Sequence, residues 1–166
     1  MPPRMNDPTI TGHVFRSKLL DKFAAIEGWA ISCLASEKQP SSAAPLGQKI
    51  ESLAKICAKN PPVFKSAKKI AERLKRLKPY QELRSTIVHS QIESLTDTKD
   101  EALSCFRNVA LINAPARYHA VVLYSKDYED ILREVSKIYN ELKQLTPVLP
   151  KPPSPQPPLP AATAGP

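Results

Sequence analysis

Apolar residues recur at three- and four-residue steps along most of this chain and change period only in one central stretch. Phe15, Leu19, Phe23, Ile26, Ala30, Cys33 and Leu34 form one such stripe, with charged Arg16, Lys18, Lys22 and Glu27 between them. That spacing predicts an amphipathic helix from Gly12 to about Ser36. A second helix is predicted from Leu46 to Lys59, with Ile50, Leu53, Ile56 and Cys57 inward, halted at Asn60-Pro61-Pro62 because proline lacks the N–H and clashes with the preceding turn. A third runs from Val63 to Leu77 on Phe64, Ala67, Ile70, Ala71, Leu74 and Leu77. Pro79 reads as the start of a further helical stretch, in which Tyr80, Leu83, Ile87 and Val88 lead to an end near His89.

After His89 the pattern predicts three short strands over 90–95, 102–111 and 118–124, joined by polar turns at 96–100 and 113–116. Val121, Val122, Leu123 and Tyr124 are strong strand formers. Ser125 then reads as the cap of a last helix, with Asp127, Glu129 and Asp130 near its positive end. Tyr128, Leu132, Val135, Tyr139, Leu142 and Leu145 form its stripe, and Pro147 ends it. The fold expected is mainly α: an up-and-down helical bundle with a small antiparallel β insert before the last helix.

The organisation expected is a loose lead-in at residues 1–11, one helical domain over 12–146, and a disordered proline-rich tail over 147–166. The tail holds nine prolines and a single charge, Lys151, a composition unable to build a core. Its Pro152-x-x-Pro155 and Pro155-x-x-Pro158 steps match ligands of aromatic grooves, a match any proline tract produces readily. A signal-peptide run and a bilayer-length apolar stretch are both missing from the pattern, so no membrane partner and a cytoplasmic location are expected. Cys33, Cys57 and Cys105 are odd in number and widely spaced, which reads as buried reduced thiols rather than a zinc or disulfide framework. The four glycines lie far apart, which argues against a phosphate-cradling loop. No metal and no cofactor are called for.

The net charge of +8 is concentrated. Residues 46–90 carry eleven basic and three acidic side chains, so the excess of the whole chain lies in its middle third. Such a field attracts phosphates. Lys68, Lys69, Arg73 and Arg76 on the third helix are the candidate RNA contacts. Glu72 is expected to pair with Lys68, Lys69 or Arg76. The same region holds Arg84 and His89. Arginine offers a planar donor fork to phosphate oxygens, and histidine exchanges protons near neutral pH. Together they suit phosphodiester cleavage, the imidazole moving a proton and the guanidinium stabilising charge on the phosphate oxygens. Along a continuous helix, however, five residues separate two side chains by about 140°. Convergence then needs a helix end or bend between them, or two copies facing each other across a symmetric dimer. Arg84 could instead pair with Glu82 or Glu93, and His89 could cap a helix. His13 reads as an exposed residue near a helix start, and Trp29 as core or interface. Glu27 reads as a surface ion-pair partner or an acid near Arg84. His119, in the third strand, is an unlikely ligand because the histidines are scattered.

The run Leu83-Arg84-x-x-Ile87-Val88-His89-Ser90 resembles the Arg-x4–6-His motif of the HEPN superfamily, and the order of elements over residues 12–146 is similar to several of its branches. The resemblance implies a helical bundle and a metal-independent endoribonuclease of toxin or phage-defence type. It implies a homodimer, RNA as substrate and a cognate antitoxin protein as a possible partner. Arg84 would contact phosphate and His89 would transfer the proton. Active members often carry Asn, Asp or His after the arginine; this chain has Ser85, a possible supporting donor. The alternative is a non-catalytic helical module that binds RNA, a nucleotide or a protein.

Overall fold

A computed structural model describes residues 8–37, 44–60, 62–108 and 120–145. The element order is α1 (Pro8–Ser36), α2 (Leu46–Cys57), α3 (Ala67–Val88), β1 (Ser90–Thr96), β2 (Ala102–Asn108), β3 (Ala120–Tyr124), a 3₁₀ turn (Ser125–Asp127) and α4 (Tyr128–Leu145). The architecture is mainly helical, with a three-stranded antiparallel sheet, order β1-β2-β3, inserted before the last helix. Among the described residues no helix is long and apolar enough to cross a membrane. The proline-rich stretch 147–166, His119 and the second strand-to-strand turn lie outside the described residues.

The stripe read for α1 is the buried stripe: Phe15, Leu19, Phe23, Ile26, Ala30, Cys33 and Leu34 all face the core. The helix begins at Pro8, four residues before the expected Gly12 and inside the segment read as a loose lead-in. Proline suits such a start, because its missing N–H falls where a helix has no acceptor for it. α2 buries Ile50, Leu53, Ile56 and Cys57 as expected, and also Leu46 and Lys49, the latter only 3% exposed. Its ammonium donates to Glu27 of α1 at 2.5 Å. Glu27 is therefore an inter-helix partner, and among the described residues no ion pair joins it to Arg84.

α3 differs most from expectation. The two stretches read on either side of Pro79 are one helix of 22 residues with Pro79 inside it. Proline there removes one backbone hydrogen bond, to the carbonyl four residues earlier. Pro79 is solvent-exposed, so water can serve that carbonyl. Ile70, Leu74 and Leu77 before it and Ile87 after it are all buried, and this packing on both sides holds the helix through the interruption.

The sheet closes the other end of the core. β2 is central; Ile92 of β1 and Val121 of β3 flank its Phe106 in register. Phe106 is fully buried and meets Phe15 edge-on at 6.1 Å, while Phe15 stacks on Tyr128 at 4.3 Å. One aromatic cluster thus joins α1, β2 and α4. Asp97 shapes the β1–β2 turn: its carboxylate accepts from the Lys99 and Glu101 amides, and these bonds hold its carboxyl below the usual range. Asp100 takes the left-handed conformation at φ 60°, which aspartate tolerates better than most residues.

At Gly12 α1 lies close against the sheet. A Cβ there would meet Ser104 Oγ at 2.8 Å and Ile92 Cγ2 at 3.1 Å. Gly12→Ala is expected to destabilise the fold by about 1–2 kcal/mol: overpacking costs about 1–3, and alanine's better helix propensity returns up to about 1. Thermal denaturation followed by circular dichroism should show a lower midpoint. An unchanged or raised midpoint would mean that the helix stands off the strands.

Candidate functional site

Arg84 belongs to the inward stripe of α3. It lies seven residues, two full turns, after Leu77, which is 0% exposed. Its side chain is half-buried, and its Nε is shielded from water with no hydrogen-bond acceptor among the described residues. No carboxylate meets it there either: Glu93 pairs with Arg107 at 3.1 Å, and Glu82 is exposed.

His89 is the residue after the last turn of α3, at φ −103° and ψ 12°, and is exposed. The helix is continuous from Arg84 to Val88, so no end or bend intervenes between the arginine and the last helical residue. The two side chains therefore leave the helix about 140° apart, one along the core-facing stripe and one toward solvent. Within one copy the structure does not bring them together. Ser85 is exposed. Ser90 is buried and its hydroxyl donates back to the Thr86 carbonyl.

A second pair, unread in the sequence, sits at the same corner. Arg16 of α1 donates through NH1 to the Ser90 carbonyl at 2.9 Å and bonds through NH2 to His13 Nδ1 at 3.1 Å. A guanidinium can only donate, so His13 accepts at Nδ1 and a neutral ring carries its proton on Nε2. Arg16 thus pins the backbone beside His89 to the first turns of α1. The sequence signal was a His-x-x-Arg step placing both side chains on one helix face. The Ser90 carbonyl that Arg16 reaches lies 74 residues away, which no local pattern reveals.

The four expected phosphate contacts divide in two. Arg76 is bonded to Glu134 at 2.5 Å and Glu141 at 3.1 Å, and Arg73 pairs with Glu141. The Glu134 bond pushes the Arg76 guanidinium further toward its charged form. These two arginines hold α3 against α4. Glu72 pairs with its neighbour Arg73 at 3.4 Å rather than with Lys68, Lys69 or Arg76. Lys68 and Lys69 are exposed at the start of α3, about 30 Å along the helix from His89, too far to hold the same phosphate.

The cysteines are free and buried. Burial pushes the Cys33 thiol up to about 11 and raises Cys57, so neither resembles an activated nucleophile. Among the described residues no group of three His, Cys, Asp or Glu side chains could hold a metal. Trp29 is half-buried against the core. No family profile, curated protein or solved structure matches the chain.

Proposed function

We propose that this chain is a HEPN-like, metal-independent endoribonuclease whose site forms between two copies. Arg84 contacts the scissile phosphate, and His89 of the facing copy transfers a proton. Arg84 carries this reading: a half-buried guanidinium with a shielded Nε and no acceptor among the described residues. Leaving a buried donor unpaired costs about 1–3 kcal/mol, a cost removed when a phosphate or a partner supplies the acceptor. His89 is exposed on the adjoining surface, and the 140° divergence makes a second copy necessary. In the reaction the ribose 2′-oxygen attacks phosphorus as its proton departs. The 5′-oxygen leaves with a proton, and a 2′,3′-cyclic phosphate remains. His89 serves one of these transfers and Arg84 the charge on the non-bridging oxygens.

The test is RNA incubated with purified protein in EDTA. Cleavage with cyclic-phosphate ends is expected, and Arg84→Ala and His89→Ala should each lower the rate about a hundredfold or more, with melting points close to wild type. Cutting that survives both substitutions would reject the assignment.

The divergence of Arg84 and His89 on one helix also favours a second reading, a module that binds RNA or a protein without cleaving. Wild-type protein that retains RNA on a filter and leaves it intact would establish that reading over the first.

A further inference from the structure

Away from the Arg84 corner, the turn between α2 and α3 surrounds a cavity of about 730 Å³. Cys57 and Phe64, 8% and 6% exposed, contribute to an apolar floor, and burial raises the Cys57 thiol there. Lys59, Lys65, Lys68 and Lys69 stand around the rim, with no acidic side chain in the lining.

Elsewhere the cations of this protein are commonly met by carboxylates: Lys18 by Glu129, Lys126 by Glu101, Arg133 by Asp130. None of the four rim lysines has an ion pair among the described residues. The first turn of α3, which opens onto the cavity, holds no acid either. Four like charges around one depression repel one another, and an anion seated among them relieves that repulsion. A bare inorganic anion would leave the apolar floor unused. A cavity of this size takes a small organic molecule, and its apolar lining rewards an apolar body.

The geometry points to a binding site for a small organic phosphate, its apolar or aromatic body on Cys57 and Phe64 and its phosphate among Lys59, Lys65, Lys68 and Lys69. The site lies at the opposite end of α3 from His89 and does not rest on the nuclease reading. A single-stranded RNA would want cations strung along a groove; here they line one depression.

The probe is 1-naphthyl phosphate, titrated calorimetrically into the full chain and followed by amide NMR. Saturable binding at about 0.1–1 mM is expected, with shifts confined to the amides of residues 57–60 and 63–69. Inorganic phosphate should bind at least about tenfold more weakly, lacking the apolar body. Lys65→Ala combined with Lys68→Ala should weaken naphthyl phosphate about tenfold or more at an unchanged melting point. Equal affinity for inorganic phosphate would overturn the site as drawn, as would undiminished binding by the double variant. A response of the same amides to hexauridylate but not to naphthyl phosphate would overturn it in favour of RNA.

Discussion

Mixing Arg84→Ala protein with His89→Ala protein is expected to restore RNA cleavage that neither performs alone. The reason is the helix between the two side chains. α3 runs unbroken to Val88, so Arg84 and His89 of one copy face directions about 140° apart. A cleft that contains both must then take its arginine from one copy and its histidine from the other. Two-fold symmetry builds that cleft twice. In a mixed dimer one cleft carries both substitutions, and the other keeps an intact arginine and an intact histidine. Random exchange puts about half of all dimers in the mixed state, so about a quarter of wild-type activity should return. The assay is the EDTA-containing cleavage reaction run after the variants have been mixed and allowed to exchange. If both variants are inactive, fold normally and exchange subunits, yet the mixture stays inactive, the shared cleft is wrong.

The largest effect on stability is expected at Glu27. Lys49 is 3% exposed and its ammonium bonds to the Glu27 carboxylate at 2.5 Å, among α2 neighbours Leu46, Ile50 and Leu53 that are themselves buried. Glu27→Ala leaves that ammonium with no counter-charge in the interface. Removing one partner of a fully buried pair costs about 3–5 kcal/mol. The Glu27 side chain is 32% exposed, so water recovers part of the loss and about 2–3 kcal/mol is the expected cost. For a domain of this size the melting point should fall by about 5–10 °C. Lys49→Met removes the charge and keeps an apolar stem. It should be near neutral or stabilising, and added to Glu27→Ala it should return most of the lost stability. Circular dichroism melts of the four proteins decide it. A Glu27→Ala midpoint equal to wild type would show that the pair is not the staple between α1 and α2.

The elements that periodicity described best are those whose stripes faced a single core. Each apolar residue picked for α1 is buried, because a surface helix repeats its inward face every three or four residues. On α4 the same logic found Leu132, Val135 and Leu142 and passed over Ile138, which is also buried. Pro79 misled the reading because a local rule about proline met packing on both sides of it; which face of a helix is wet is a tertiary fact. The site was partly legible. Arg84 and His89 were found by residue chemistry, and the angle between them follows from helix geometry once the helix is known to continue. The roles of Arg73 and Arg76 were not legible, since their partners Glu134 and Glu141 lie some sixty residues away on another helix. Neither was Arg16, whose acceptor is a backbone carbonyl, an atom type that every residue has.

The seam between α3 and α4 changes what the overall charge of +8 means for a polyanion. A cation that approaches RNA unpaired displaces the condensed counterions around the phosphates, and their release drives association. Arg73 and Arg76 already hold carboxylates, so they have little left to exchange with solution ions. Were an RNA to bind, the cations outside that seam would set how steeply added salt weakens the complex, and the slope would count fewer phosphates than the sequence total suggests.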